Sequence, residues 1–259
     1  MILPDERRRQ ISEAVERDGR VLASEMAARF ATSEDTIRRD LRDLDAAGLL
    51  RRVHGGAIRR MAAEPSFRNR EKASPDRKAG LAQAAVGLIR DGDVILIDAG
   101  STNLLIARSI DDGRAASIVT NSPPIAAALG EFRRTEVVML SGSIVPGNGS
   151  VGGARTLRDL AELHADLCFV GACSVDAARG LGATLADEAV LKRAMIEASA
   201  RTAVTILNDR LASVAPFRFA ALNDLDYLIV EADAPPEPLR RIADIEGAPE
   251  ILRSKRTAS

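Results

Sequence analysis

Residues 31–41 read Ala31-Thr32-Ser33-Glu34-Asp35-Thr36-Ile37-Arg38-Arg39-Asp40-Leu41, and residues 48–56 continue as Gly48-Leu49-Leu50-Arg51-Arg52-Val53-His54-Gly55-Gly56. Thr32 or Ser33 can cap a helix here, and Gly48 can end it. Ile37, Leu41 and Leu44 recur at helical spacing, so one face of this helix must pack on a core. Arg39 and Arg42 point away from that face. The pattern is typical of a helix in a DNA major groove, where Arg pairs with guanine.

The sequence on either side of this helix completes a DNA-binding unit. Apolar residues upstream predict two further short helices, at residues 4–18 and 23–30, with only a tight turn before the third helix. Residues 49–57 predict a hairpin in which Gly55-Gly56 allows a turn at positive φ beside a phosphate backbone. Together these segments predict a winged helix-turn-helix. Its candidate DNA-binding residues are Ser33, Thr36, Arg38, Arg39, Arg42, Arg51, Arg52, His54 and Gly55.

Simpler interpretations exist for these residues. Asp35 with Arg39, and Arg39 with Asp43, are i,i+4 pairs that occur on many solvated helices, so the helix alone does not prove groove binding. His54 is better explained as a backbone or phosphate contact than as a metal ligand, because His164 is the only other histidine. We therefore expect no metal site and no cofactor.

Length and charge predict two domains of different character. The 259 residues suffice for a small domain and a medium one. Residues 1–78 carry 18 basic and 14 acidic side chains, whereas the remainder carries 18 basic and 23 acidic ones. This opposition supports a DNA-binding amino-terminal part. The predicted boundaries are 1–58 for the winged domain, 59–75 for a linker, 76–233 for an effector domain and 234–259 for a partly disordered carboxyl-terminal segment.

The predicted effector domain alternates short apolar runs with helical patterns. The runs fall at residues 94–97, 118–120, 137–140, 167–170, 203–207 and 227–230, and the helical patterns at 78–89, 102–109, 123–129, 157–163 and 188–200. Continuous apolar strands separated by helices indicate an α/β fold with a mainly parallel, covered sheet. Ligands of such sheets bind beyond the carboxyl ends of the strands.

Small polar loops follow three of these strands. In Asp98-Ala99-Gly100-Ser101-Thr102, a glycine, two hydroxyls and a helix amino terminus suit a phosphate, and Asp98 suits sugar hydroxyls. Such a loop is also common as plain turn and cap chemistry. Convergence with the loops at Thr120-Asn121-Ser122 and Ser141-Gly142-Ser143 favours a pocket for a polyol phosphate. The candidate effector-binding residues are Asp98, Gly100, Ser101, Thr102, Asn121, Ser122 and Gly142, with Lys192 and Arg210 as weaker candidates.

Two negative features limit the class of protein. Cys168 and Cys173 are too few for a disulfide framework, so reduced, packed thiols are expected. No apolar run approaches the ~18 residues of a membrane span, and the amino terminus lacks a signal-peptide pattern. We expect a cytoplasmic protein with no membrane partner.

Several of these motifs together resemble the DeoR family of bacterial transcription regulators of sugar metabolism. The resemblance covers Thr36–Leu41, Arg52–Ala57, Asp98–Thr102, Thr120–Ser122 and Leu191–Ile196. It implies a winged amino-terminal domain joined to an effector domain similar in fold to ribose-5-phosphate isomerase. It also implies repression that a phosphorylated sugar relieves.

The chain departs from the family pattern at three places. Gly171-Ala172-Cys173-Ser174 stands where Gly-Ala-Asp-Gly is usual, and Asp209-Arg210-Leu211-Ala212 where Asp-Ser-Ser-Lys is common. Leu22 replaces the usual Ser cap of the second helix. The first departure removes a carboxylate from the expected pocket and leaves a non-phosphorylated ligand possible.

The expected function is sequence-specific repression of a carbohydrate-metabolism operon. The expected partners are double-stranded operator DNA, a phosphorylated sugar or related polyol effector, and copies of the same chain in a homodimer or homotetramer. One alternative is a sugar-phosphate isomerase, for which Glu188 could serve as the base. The other is a DNA-binding protein without sequence preference.

Overall fold

The computed structural model describes residues 2–53, 55–58 and 65–255. Its first part is a small domain of three helices and three short strands. These are α1 (Pro4–Asp18), β1 (Arg20–Leu22), α2 (Ala23–Arg29), α3 (Glu34–Ala46), β2 (Arg51–Val53) and β3 (Gly56–Ile58). Their apolar faces share one core, which includes Ile11, Val15, Ile37, Leu41 and Leu50.

Local chemistry defines both ends of α3. The Ser33 hydroxyl accepts a hydrogen bond from the Thr36 backbone N–H at 3.2 Å, as an N-cap side chain should. The helix ends at Ala46, and Gly48 follows with φ of 76°. Ile37 and Leu41 lie buried beneath it. The predicted helix and its apolar face are thus present.

The predicted wing is part of a three-stranded antiparallel sheet. Its order is β1-β3-β2, so β3 pairs both with its hairpin partner and with the strand before α2. A Cβ at Gly56 would overlap the Val21 carbonyl oxygen, so only glycine permits this approach. The sequence did not predict β1, because three residues are too few for a periodic signal.

A second domain follows, and its first described residues, 65–78, are called the connecting segment because they lead in from the first domain. It contains α4 (Phe67–Lys72), α5 (Pro75–Val86), β4 (Val94–Ile97), α6 (Ser101–Arg108), β5 (Ser117–Thr120), α7 (Pro123–Ala128), β6 (Glu136–Met139), β7 (Ser143–Val145), β8 (Ser150–Gly152), α8 (Ala154–Ala161), β9 (Leu167–Phe169), β10 (Ser174–Asp176), β11 (Gly180–Ala183), α9 (Ala186–Glu197), β12 (Thr202–Ile206), β13 (Phe217–Ala220), β14 (Tyr227–Val230), α10 (Pro236–Ala243) and β15 (Glu250–Arg253).

Seven of these strands form one parallel sheet in the order β15-β14-β12-β9-β4-β5-β6. Apolar clusters cover both of its faces, one around Leu96 and Val204 and the other around Ile95 and Ile97. Alternate residues of β4 thus serve opposite faces, as the pleat requires. The predicted α/β class with a covered parallel sheet is confirmed.

The carboxyl-terminal segment corrects the predicted domain boundary. β15 pairs in parallel with β14, Tyr227 opposite Glu250 and Val230 opposite Arg253. The sheet therefore extends beyond residue 233, and the segment up to residue 255 contributes a helix and an edge strand to the second domain. α10 begins within the Pro-rich stretch at residues 235–238. Pro236 lies in its first turn, where a backbone N–H has no partner within the helix and its absence costs nothing.

The predicted linker contains regular structure of its own. Residues 59–64 of that linker lie outside the described residues. Phe67 begins the short helix α4 and its ring is buried in the second domain, as a domain anchor would be. Pro75 begins α5 after Ser74, whose φ is 50°. The predicted linker thus contains α4, and α5 begins at its last residue.

Within the described residues, no helix is both long enough and apolar enough to cross a bilayer. The two cysteines are not bonded to each other. Cys168 is fully buried, and burial raises the pKa of its thiol above the ordinary value. A fully buried thiol is unreactive and packs in the core, as expected for this position.

Candidate functional site

One candidate site is the exposed face of α3. Arg38, Arg39 and Arg42 are exposed on it, and Thr36 is half-buried near its start. Arg38 forms ion pairs with Glu34 at 2.8 Å and Asp35 at 3.5 Å. Among the described residues, neither Arg39 nor Arg42 has an ion-pair partner. The i,i+4 pairs of Arg39 that a purely solvated helix would form are therefore not made.

The carboxylates of α3 are instead bound from behind by α1. Arg7 donates to Asp40 at 2.6 Å and 3.3 Å, and both side chains are almost wholly buried. Arg8 donates to Asp40 at 3.2 Å and to Asp43 at 2.6 Å. These contacts fix α3 on α1 and offset its negative charge. Arg7 and Arg8 were not among the predicted residues, because their partners lie more than thirty residues away in the sequence.

The wing lies beside α3. Arg51 and Arg52 are exposed on β2, and Gly55 is exposed with φ of 81°. A cleft of about 300 Å³ separates the two elements and is lined by Arg38, Leu41, Arg52, Val53, Gly55 and Gly56. Of the candidate DNA-binding residues, His54 lies outside the described part of the chain. The others lie on α3, the predicted recognition helix, at its N-cap, or on the wing.

A second candidate site is a cavity of about 280 Å³ at the carboxyl ends of β4, β9 and β12. The loop after β4 opens α6 at this point, and the N-terminus of a helix favours an anion. Five of the candidate effector-binding residues line the cavity. They are Gly100, Ser101, Thr102, Lys192 and Arg210.

The remaining candidates lie elsewhere. Asp98 and Asn121 are buried beneath the cavity, where the Asn121 amide donates to Asp98 at 3.2 Å and accepts from the Ala99 N–H at 2.8 Å. The Ser122 hydroxyl donates to the Gly149 carbonyl at 3.1 Å. Gly142 packs against Thr156 and Gly152, away from the cavity. Short polar side chains at neighbouring strand ends thus bind one another instead of lining the cavity.

Asp98 and Lys192 form a buried ion pair at the base of the cavity. The Lys192 ammonium contacts Asp98 and lies 3.2 Å from Glu188, and the Gly171 N–H donates to Asp98 at 3.0 Å. Burial alone would lower the pKa of Lys192, but the negative charges of Asp98 and Glu188 outweigh it and raise that pKa. The surroundings of Lys192 therefore favour its charged form.

Several lining residues were not among the candidates. The most important are Asn69, Arg70 and Lys78 from the connecting segment, together with Asn148, Cys173 and Glu188. Four lining side chains are basic and two, Glu188 and Asp209, are acidic. The excess of positive charge suits an anion. Cys173, which stands where the family pattern has Asp, adds no carboxylate to this balance.

Glu188 does not have the surroundings of a free general base. Its carboxylate is paired with Lys192, four residues further along α9. Among the described residues, no group of three or more His, Cys, Asp or Glu side chains could hold a metal ion.

Comparisons with known families agree with this two-domain arrangement. The DeoR-like helix-turn-helix domain matches residues 7–61, and the DeoR C terminal sensor domain matches residues 73–232. The second match ends before α10 and β15, of which β15 joins the central sheet. The first match covers α3 and the wing, and the second covers the cavity except for its lining residues before residue 73.

Similar proteins extend over most of the chain. The HTH-type transcriptional regulator GlpR of Haloferax volcanii is 32% identical over 89% of this chain and 91% of its own. The transcriptional repressor AccR of Agrobacterium fabrum is 31% identical over 92% of both. The glycerol-3-phosphate regulon repressor of Haemophilus influenzae is 31% identical over 86% of this chain and 87% of its own.

A solved ribose 5-phosphate isomerase A from Methanocaldococcus jannaschii superposes with a TM-score of 0.39 and 18% identity, over 53% of this chain and 55% of its own. The relatives aligned along most of the chain are named as regulators and repressors. They confirm the prediction of a DNA-binding regulator over that of an isomerase. With both domains matched in order, the chain belongs to the DeoR family of transcriptional regulators.

Proposed function

We propose that this regulator represses a carbohydrate-metabolism operon and that a phosphorylated sugar or related polyol releases it from the operator. The carrying observation is the cavity, where four basic side chains and the N-terminus of α6 surround a space of about 280 Å³. Such a site suits a phosphate group. A relative's name, the glycerol-3-phosphate regulon repressor, supports the same ligand class.

The proposed DNA contacts divide by type. Thr36, Arg38, Arg39 and Arg42 face the major groove, with Ser33 at the N-cap contacting a phosphate. Arg51, Arg52, His54 and Gly55 hold the backbone or the minor groove. Arg39 and Arg42 are the strongest candidates for base contacts, because no carboxylate among the described residues competes for them.

The proposed assembly is a homodimer or homotetramer acting in the cytoplasm, where the operator is. A single winged domain reads too few base pairs for a unique site, so two copies must act together. Three exposed apolar residues near the β6 edge of the sheet, Val138, Met139 and Ile144, are compatible with such contacts.

Binding to the DNA upstream of its own gene and of neighbouring operons tests this proposal. Fluorescence anisotropy is measured at fixed salt with and without a panel of sugar phosphates and glycerol 3-phosphate. We expect tight binding to one site and its release by one compound. Binding that is insensitive to sequence would indicate a nonspecific DNA-binding protein, and the absence of release by every compound would reject the effector class.

Arg39→Ala tests the groove contact in the same assay. Loss of a bidentate contact to guanine should weaken operator binding by about 1–3 kcal/mol and relax the preference at one base pair. Arg9→Ala is the control, because it removes the same charge from α1, where Glu6 and Glu13 already occupy the guanidinium. Equal effects of the two variants on affinity and specificity would reject the role of Arg39.

A further inference from the structure

The segment that connects the two domains also forms part of the cavity wall. Six of its residues line the cavity, namely Pro65, Asn69, Arg70, Ala73, Ser74 and Lys78. They come from α4, from the turn after it and from the first turn of α5. A molecule bound in the cavity would therefore touch the chain that leads back to the DNA-binding domain.

Specific contacts hold α4 against the loop between β7 and β8. The Phe67 backbone N–H donates to the Gly147 carbonyl at 2.7 Å. Arg70 donates to both the carbonyl and the side-chain oxygen of Asn148 at 3.1 Å. Gly149 lies directly on the Phe67 ring, where an added Cβ would come within 2.6 Å of a ring carbon. The connecting segment is thus held against the β7–β8 loop of the second domain.

Lys78 is the most unusual residue of this wall. Its side chain lines the cavity although the residue is only 4% exposed. The ammonium donates to the carbonyl oxygens of Arg70 and Ala73, the latter at 2.6 Å, at the end of α4. No carboxylate among the described residues lies within ion-pair distance of it. Its direct contacts are therefore to carbonyl oxygens alone, and the nearest acidic influence, Asp209, acts from beyond ion-pair distance.

A buried charge without a counter-charge is costly, and an anion beside it lowers that cost. Burial and the neighbouring charge of Arg70 lower the pKa of Lys78, because both disfavour its charged form. An anionic group in the cavity would attract both cations. It would also compete with the α4 carbonyls for the Lys78 ammonium.

We propose, on the basis of the function proposed above, that the connecting segment is part of the effector site, with Lys78 and Arg70 receiving the anionic group of the effector. Binding then changes the contacts that hold the end of α4. Because α4 follows the DNA-binding domain along the chain, the effector acts directly on the segment that positions that domain. Ligand affinity and operator release thus depend on the same two side chains.

Inorganic phosphate is the probe, since it carries only the anionic group in question. Phosphate binding to the full chain is measured by calorimetry against sodium chloride of equal ionic strength. Lys78→Met and Arg70→Gln remove the two cations. Lys72→Met and Arg68→Gln are matched controls, because these residues are exposed on α4 and do not line the cavity. We expect each test variant to weaken phosphate binding by about tenfold or more, and the controls to leave it unchanged.

Hydrogen exchange of the wild-type chain gives a second readout that does not depend on a variant's folding. Phosphate should change the exchange of backbone amides between residues 67 and 78. Unchanged exchange there, absent phosphate binding, or wild-type phosphate affinity in both test variants would overturn the role of the connecting segment. In each case, operator release by a sugar phosphate would show that the proposed function itself stands, whereas the absence of any release would reject that function.

Discussion

Asp98 and Lys192 carry opposite charges inside the second domain, where each side chain is about 3% exposed. Such a pair adds little stability compared with apolar residues, but loss of one partner leaves an uncompensated buried charge. Asp98 also accepts hydrogen bonds from Gly171 and Asn121, two residues from different strand ends. The pair therefore fixes the loops that form the base of the cavity.

Lys192→Met should lower the free energy of unfolding by about 3–5 kcal/mol, because it leaves the charge of Asp98 buried without its partner. The raised pKa of Lys192 sets the pH range. A cation with a raised pKa in the folded state contributes its full stabilisation below the unfolded-state pKa and loses it as the pH rises through the folded one. Urea unfolding should thus show a constant deficit between about pH 7 and pH 10, and a smaller one at higher pH.

The exposed Lys72→Met serves as the control for that measurement, since it replaces the same side chain without breaking a buried pair. A deficit that disappears well below pH 10, or equal stability of the two variants at neutral pH, would contradict a raised pKa of Lys192 in the folded protein.

For single residues, local sequence patterns predicted part of the cavity lining, and contacts between distant parts of the chain determined the rest. Gly100, Ser101 and Thr102 were predictable because a glycine and hydroxyls follow an apolar strand directly. Asp98 was predicted to bind the effector but pairs with Lys192. The sequence does not distinguish the two roles, because a carboxylate at a strand end can bind either sugar or protein groups. Lys78 could not be predicted, since its position in the cavity depends on the packing of α4 and α5.

The contact between α1 and α3 is the main determinant of how the recognition helix is held. Apolar side chains such as Ile11 and Ile37 supply the packing, and Arg7 and Arg8 bind Asp40 and Asp43 across the same interface. The two carboxylates differ in surroundings, because Asp40 is buried and the Asp43 side chain is about half exposed. Their contributions should differ accordingly.

Asp40→Ala should destabilise the first domain by about 3–5 kcal/mol, because Arg7 remains buried without its partner. Asp43→Ala removes only an exposed partner of Arg8 and should cost about 0–1 kcal/mol. Hydrogen exchange resolves the two domains, so Asp40→Ala should speed exchange in α1 and α3 while the central sheet keeps its protection. Equal protection in the two variants would show that the Arg7 pair is not needed to hold α3.

Elements were predictable where a single periodic run covered them. α3 has a cap, an apolar stripe and a glycine stop, and the strands of the central sheet are continuous apolar runs. β15 was not predicted as a strand of the sheet, because Glu250 and Arg253 dilute its apolar pattern and Pro-rich sequence precedes it. Its place in the sheet depends on pairing with β14, which no local pattern reveals.

On the scale of the whole molecule, regulation requires that one site report to the other. Effector and operator must each favour a different arrangement of the chain, and their effects on one another must be equal in free energy. The described structure offers a direct route, because the cavity is bounded on one side by the helix α6 and on the other by the segment that leads to the DNA-binding domain. Under the proposal above, both walls hold the ligand, and the connecting segment also relays its presence to the DNA-binding domain.

Replacing Ser101 and Thr102 together by Ala tests the holding task. Both hydroxyls line the cavity at the start of α6. A hydrogen bond to a charged group is worth about 1.5–3 kcal/mol, so loss of two should raise the sugar-phosphate concentration needed for half release by about a hundredfold or more. Operator binding without the effector should be unchanged, because neither residue belongs to the first domain. Ser109→Ala is the control, because this hydroxyl at the other end of α6 contacts Leu105 and Gln83 and does not line the cavity. That variant should release the operator at wild-type effector concentrations.

The measurement is an operator titration by anisotropy at several concentrations of the releasing sugar phosphate, together with effector binding to the protein with and without operator. In the wild type, the factor by which the effector weakens operator binding must equal the factor by which the operator weakens effector binding. In the double variant, effector binding should be weakened while that factor is retained at saturating effector. A double variant that releases at wild-type concentrations would exclude this cavity as the effector site, and one that fails to bind the operator at all would show that α6 supports the DNA-binding state itself.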